Sequence, residues 1–284
     1  MSIGITGATG HLGRLVVTKL KEIAGAAGIV ALVRTPSKAV DLGVTVRDGD
    51  YSQPVALADS LIGIETLLLI SSNELGKRVE QHRNVIAAAK DAGVKHIIYT
   101  SLLHADKSEL SLAPEHLATE ADVQESGIPF TILRNGWYSE NYTGSIPGAL
   151  AGGAFIGSAG NGRISLAARA DYAEAAAKVL TSAGHEGKIY ELAGDIAYTL
   201  SDLAAEISRQ TGREIPYKDL SESDFAAALL SFGIPEVFAV GLASWGIGAS
   251  HGALFDDSHE LSNLIGRPTT PLAVSVAVAL GTTN

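Results

Sequence analysis

The sequence predicts an α/β fold built on a Rossmann-type, doubly wound parallel sheet. Three observations predict it. Six short apolar runs fall within the first 135 residues, helical patterns separate them, and a glycine-rich turn follows the first run directly. The runs are Ile3–Thr6, Ile29–Val33, Val44–Val46, Thr66–Ile70, His96–Thr100 and Phe130–Leu133. They are compact and apolar, as expected of strands buried on both faces. Between the first two, Leu12, Leu15, Val16, Leu20 and Ile23 recur at helical spacing and predict a core-facing stripe. Pro54–Leu61, Val79–Ala92 and Pro114–Glu125 read as further helices, the last two ended by Gly93 and Gly127. Strand and helix in succession imply right-handed crossovers.

After Asn135 the rhythm changes. The glycine-rich stretch Gly144–Gly162 predicts loops around a short strand at Ala154–Ile156. A helix at Asp171–Ala183 and a strand at Lys188–Ala193 follow. Thr199 and Ser221 each precede an aspartate by three positions (Asp202, Asp224) and predict capped helix starts around an extended segment at Glu214–Lys218. The expected division is residues 1–143 as the Rossmann layer and 144–284 as a smaller, mostly helical portion over the sheet's ligand edge, with 171–193 returning to the layer. No repeat or long linker separates the two parts.

Composition narrows the partners. A net charge of -10 argues against nucleic acid and anionic membranes. The absence of cysteine excludes disulfides, thiolate catalysis and cysteine-bound metals. No apolar run approaches the roughly 18 residues of a membrane span. A strand-like Ser2-Ile3-Gly4-Ile5-Thr6 stands where a signal core would, so a cytoplasmic location is expected. The eight histidines form no metal-ligating pattern.

The turn after the first strand reads Gly7-Ala8-Thr9-Gly10-His11-Leu12-Gly13 and opens the first helix. In a dinucleotide site the first glycine makes the turn, the second admits pyrophosphate against bare backbone, and the third lets helix and strand pack closely. The helix N-terminus adds N–H donors and a positive dipole end. At the end of the second strand, where NAD sites place a carboxylate for the ribose, this chain has Arg34, with Lys38 nearby. A guanidinium matches a 2′-phosphate bidentately, which favours NADP over NAD. Asp50 and Tyr51 lie where adenine would approach, Asp50 being equally suited to cap the helix near Pro54. Ser71, Ser72, Thr100 and Ser101 stand at the ends of the fourth and fifth strands, along the expected cofactor track.

Short-chain dehydrogenases typically carry a tyrosine with lysine four residues later. None of the eight tyrosines here has one. His116 and Glu120 share a face of the helix in the matching region; they read as a solvated face first and a weak proton-donor pair second. His104 and Tyr138 are the other weak catalytic candidates, and no residue is a firm one. After the sixth strand, Asn135-Gly136-Trp137-Tyr138-Ser139-Glu140-Asn141-Tyr142 clusters aromatic and amide groups. Trp137, Tyr138, Asn141 and Tyr142 suit a planar substrate, and Asn135–Glu140 a cofactor. An electron-poor acceptor such as a quinone needs positioning more than acid catalysis, because the phenolate it yields has a pKa of about 10 and takes its proton from water.

The opening glycine motif, Leu69-Ile-Ser-Ser72, Tyr99-Thr-Ser-Leu-Leu-His-Ala105, Leu133-Arg-Asn-Gly-Trp-Tyr138 and Leu264-Ile-Gly-Arg-Pro-Thr269 span the chain. Together they resemble the NmrA-like atypical short-chain dehydrogenases, above all the group's bacterial quinone-reducing members, with triphenylmethane dye reductases more distant. The resemblance implies a Rossmann domain, a small C-terminal substrate portion, NADPH as cofactor and two-electron reduction of quinones. It places Gly7–Leu12, Arg34 and Asn135–Glu140 along the cofactor; His11 departs from the glutamine often found there. A non-catalytic NADP-binding redox sensor is the alternative on the same fold. It needs no pocket kept open for a ring, so the aromatic loop favours the enzyme.

Overall fold

The apolar runs become strands and the periodic stretches become helices. In order these are β1 (Ile3–Thr6), α1 (His11–Ala24), β2 (Ile29–Val33), β3 (Thr45–Asp48), α2 (Pro54–Ser60), β4 (Thr66–Leu69), α3 (Arg78–Asp91), β5 (His96–Leu102), α4 (Ala113–Glu125) and β6 (Phe130–Asn135). There follow α5 (Glu140–Thr143), α6 (Ile146–Gly152), β7 (Phe155–Gly157), α7 (Arg169–Thr181), β8 (Lys188–Leu192), α8 (Leu200–Thr211), β9 (Tyr217–Asp219), α9 (Glu222–Ser231), α10 (Glu236–Ser250), α11 (Glu260–Ile265) and α12 (Leu272–Leu280). This computed structural model describes residues 2–282. The chain divides into two units: Met1–Asp106, Pro114–Asn135 and Arg169–Glu191 form the first, and Lys107–Ala113, Gly136–Ala168 and Leu192–Asn284 the second.

The central sheet has seven strands in the order β3-β2-β1-β4-β5-β6-β8. Pairing is parallel, with Ile3 opposite both Ile29 and Thr66, and Ser101 opposite Arg134. The expected doubly wound α/β fold is therefore present. β1, β2 and β4 are buried throughout, which explains sequences that are apolar but for a terminal threonine in β1 and β4. Strand order reverses between β1 and β4, the switch point where such sheets open a crevice at their carboxyl ends. Thr6 ties that point together: its hydroxyl donates to the Leu68 carbonyl (3.0 Å) and accepts the Ile70 N–H (2.9 Å).

Two local expectations need correction. On α1, Leu12, Val16 and Leu20 are buried as expected, but Leu15 is only half-buried and Ile23 is 56% exposed. Ile23 lies in the last turn before Gly25, where the helix has outrun its packing partners. The Gly144–Gly162 stretch is not all loop, because α6 occupies Ile146–Gly152. Pro147 sits in the helix's first turn, where its fixed φ costs nothing, and Ile146 and Ala149 are buried. That packing outweighs the poor helix propensity of two glycines.

In the second unit β7 and β9 pair in parallel, Phe155 opposite Tyr217. Thr199 and Asp202 form a reciprocal capping box at α8, and Ser221 accepts the Asp224 N–H at α9. No helix among the described residues is long and apolar enough to cross a membrane.

Candidate functional site

The turn from β1 into α1 is shaped by its glycines. Gly7 adopts φ +58°, and its carbonyl accepts the Gly10 N–H at 2.9 Å. A side chain on Gly13 would put its Cβ 2.4 Å from the Gly7 oxygen and 2.7 Å from the Ala8 Cα, so only glycine lets the helix start this close to the strand. Gly10 is the N-cap of α1, and no side chain caps the helix. Its first N–H groups therefore face outward without a side-chain partner, as an anion site requires. His11 is exposed at the same end, while Ala8 and Leu12 are buried and Thr9 is half-buried. This cradle of bare backbone fits a pyrophosphate.

Arg34 is the first residue past β2 and is exposed. Its Nη1 donates to Glu74 Oε1 at 2.7 Å, and Lys77 Nζ lies 3.9 Å from the other Glu74 oxygen. Lys38 is exposed on a 3-10 turn over Pro36–Leu42, and its carbonyl accepts from Arg14 Nη2 at 2.8 Å. Asp50 caps no helix. Its carboxylate accepts the Ser52 N–H at 2.9 Å, and the α2 N-cap is Gln53. Tyr51 turns inward, its hydroxyl 2.5 Å from Thr6 Oγ1 and 2.7 Å from the Ile70 carbonyl oxygen. Burial raises its pKa, and the ring belongs to the core rather than to an adenine pocket.

Ser71 and Ser72 are half-buried just past β4, held by Thr100 and by residues of α3 that the sequence did not single out. The Ser71 N–H donates to Thr100 Oγ1 and the Ser72 N–H to His82 Nε2, each at 2.9 Å. The Ser72 hydroxyl reaches Gln81 Oε1 (2.5 Å), and Arg78 Nε donates to the Ser72 carbonyl (2.7 Å). Arg78 also pairs with Glu115 at 2.9 Å. Because His82 Nε2 accepts, its proton sits on Nδ1 and points to Thr119 Oγ1, 2.9 Å away. Burial, aided by Arg78, pushes the His82 pKa down to about 3. The spacing of 78, 81 and 82 on one helix face was the available signal, but a charged residue and a histidine on α3 look like surface until the β4 loop is seen to fold over them.

α4 overturns the solvated-face reading. His116 is 6% and Glu120 2% exposed. His116 Nδ1 lies 2.8 Å from the Tyr99 hydroxyl, and burial, with Arg78 and His82 adding, holds its pKa well below the usual imidazole value. Burial raises the Tyr99 pKa. Glu120 makes a two-pronged pair with Arg134 (2.9 and 2.7 Å) and accepts the Ser101 hydroxyl at 2.5 Å. Arg134 also reaches Asp106 and Glu191, both at 2.8 Å, and its bonds to Glu120 and then Glu191 hold its pKa up. His116 and Glu120 thus brace β5 and β6. His104 adopts φ +53°, and its backbone N–H donates to Glu191 at 2.8 Å.

Asn135 ends β6 in the first unit, and Gly136–Tyr142 belong to the second. The Gly136 N–H donates to the Leu192 carbonyl (2.7 Å) and the Ser139 N–H to that of Ala167 (2.9 Å). Trp137 is 8% exposed and packs edge-on against Trp245, centroids 5.9 Å apart; Trp245 Nε1 donates to Ser111 at 2.8 Å. Tyr138, Glu140 and Tyr142 are half-buried, and Asn141 is exposed. Burial raises the Tyr142 pKa. Trp137 is therefore mainly a packing residue of this unit. No group of three or more histidines or carboxylates among the described residues is placed to hold a metal.

A parallel sheet whose switch point carries a glycine cradle and an uncapped helix defines a dinucleotide-binding protein of the Rossmann class. Residues 7–183 match the model of the NAD(P)H-binding family, and the chain belongs to that NmrA-like family. It is 58% identical to quinone oxidoreductase 2 of Escherichia coli, over 99% of this chain and 100% of the relative. The crystal structure of the NADPH-dependent quinone oxidoreductase of Escherichia coli in complex with NADPH superposes with a TM-score of 0.95 at 59% identity, covering 98% of this chain and 99% of that one. The triphenylmethane reductase of Citrobacter superposes at 0.94 with 38% identity, over 99% and 100% of the two chains.

Proposed function

We propose that this chain is an NADPH-dependent oxidoreductase that reduces quinones or similar planar, electron-poor acceptors without a tyrosine–lysine pair. The observation that carries the coenzyme choice is Arg34, a guanidinium in the place of the ribose-binding carboxylate, in the same unit as the Gly7–Gly13 cradle. The likeness to an NADPH-dependent quinone oxidoreductase along the whole chain supports the acceptor class.

In this reading the cradle and the first N–H groups of α1 hold the pyrophosphate, with His11 beside it. Arg34 and Lys38 take the 2′-phosphate. In the first unit Ser71, Ser72, Thr100, Ser101 and Asn135 line the track toward the nicotinamide end; in the second unit Gly136, Ser139 and Glu140 are the residues assigned to the cofactor. Tyr138, Asn141 and Tyr142, on the loop that Trp137 anchors, orient the acceptor. When bound, NADPH supplies the hydride. The chain contributes positioning and a rigid floor, and His116 and Glu120, both engaged inside the first unit, donate no proton. The reduced acceptor is a phenolate with a pKa of about 10, so water supplies its proton.

Kinetics of Arg34→Ala with both coenzymes test the reading. The KM for NADPH is expected to rise about tenfold or more and that for NADH to stay within about twofold, as the loss of a charge-assisted phosphate contact implies. Equal changes for the two coenzymes would contradict the role of Arg34.

A further inference from the structure

We infer that Glu74 is a specificity-setting residue that competes with the coenzyme's 2′-phosphate for Arg34. The inference rests on the proposed NADPH reading and goes beyond it. Glu74 Oε1 lies 2.7 Å from Arg34 Nη1, so a carboxylate already occupies one donor of the guanidinium assigned to the phosphate. Glu74 is not a loosely placed surface group. Its backbone N–H donates to the Ser72 hydroxyl at 3.2 Å, and Ser72 is itself held by Arg78, Gln81 and His82. The β4 loop thus delivers the carboxylate to the end of β2.

A 2′-phosphate carries roughly -1.5 to -2 charges at neutral pH. Nη1 keeps a second N–H, but a phosphate drawn to it, or to the guanidinium's other edge, is repelled by the Glu74 carboxylate while that carboxylate stays. Either way, binding the phosphate costs the Arg34–Glu74 contact or meets a like charge. Lys77 Nζ, 3.9 Å from Glu74 Oε2, gives the displaced carboxylate a second cation. A nucleotide without the 2′-phosphate leaves the pair undisturbed. Glu74 therefore narrows the preference for NADPH over NADH that Arg34 creates. Both partners are partly exposed, at 62% and 34%, so the effect has the size of a surface ion pair, about two- to fivefold in affinity.

The test is calorimetric titration of the full-length protein with adenosine 2′,5′-bisphosphate and with AMP, for the parent, Glu74→Gln, Arg34→Ala and the double variant. Glu74→Gln is expected to tighten the bisphosphate about two- to fivefold and to leave AMP unchanged. In the Arg34→Ala background the same substitution is expected to change neither. Unchanged or weaker bisphosphate binding in Glu74→Gln would overturn the inference, and so would equal tightening without Arg34, which marks plain charge removal. If the parent prefers the bisphosphate, Arg34→Ala loses that preference and Glu74→Gln matches the parent, the inference alone fails. If the parent binds both nucleotides alike, the Arg34 reading fails and the inference with it.

Discussion

His82 and His116 make the first unit's stability depend on acid. Both are buried and neutral, His82 with a pKa near 3 and His116 well below the imidazole norm. In the unfolded chain each takes a proton near pH 6.5. The unfolded state therefore binds more protons as pH falls, and the stability present above about pH 6.5 is lost on the way down toward the folded pKa. Each histidine contributes a slope of about 1.4 kcal/mol per pH unit in that window. Urea unfolding between about pH 7 and pH 4 should show the decline, shallower by one histidine's share in His82→Gln; a flat profile would contradict it. Glu120 is the other sensitive side chain. Glu120→Ala removes the buried two-pronged partner of Arg134 and leaves it only the more exposed Asp106 and Glu191, so a loss of about 3 kcal/mol in unfolding free energy is expected. At this scale the sequence was only partly legible. The position of Arg34 just past β2 was legible because it is fixed by counting from the end of a strand. His82, Gln81 and Glu74 could not, because their partners become neighbours only when the β4 loop folds over α3. His116 and Glu120 were misread as solvated because their partners, Tyr99, Ser101 and Arg134, come from β5 and β6.

Among elements, the β1–α1 junction is the most constrained. A methyl on Gly13 has no place to go, since the atoms in its way are backbone. Gly13→Ala is expected to cost about 1–3 kcal/mol of stability and to weaken dinucleotide binding. Thermal melting together with a coenzyme titration checks both, and a variant that melts and binds like the parent would show that the junction can open. Elements with period or unbroken apolarity were legible at this scale. β1 and β2 fall on their predicted residues, because burial on both faces keeps them apolar except for Thr6, whose hydroxyl is bonded inside. β5 runs two residues further than its apolar stretch, to Leu102, since Ser101 is satisfied inside by Glu120. α6 was hidden by its glycines, whose cost is offset by the buried Ile146 and Ala149.

Over the whole chain, the doubly wound sheet and the family follow from features spread along the sequence: the glycine turn, the succession of strands, and the segments 99–105 and 133–138. The acceptor depends on a surface that composition alone does not draw. Trp137 looked like a stacking platform and is mostly enclosed by Trp245 and its surroundings, leaving Tyr138 and Tyr142 as the more open rings of that loop. The most direct measurement is a single-turnover experiment in which the protein, loaded with stoichiometric NADPH, is mixed with a simple benzoquinone while the reduced nicotinamide's absorbance is followed. Expected is oxidation of one NADPH per hydroquinone formed, far faster than in free solution and absent without quinone. Tight NADPH binding with oxidation no faster than in the protein's absence would contradict the enzyme and leave a dinucleotide sensor in its place.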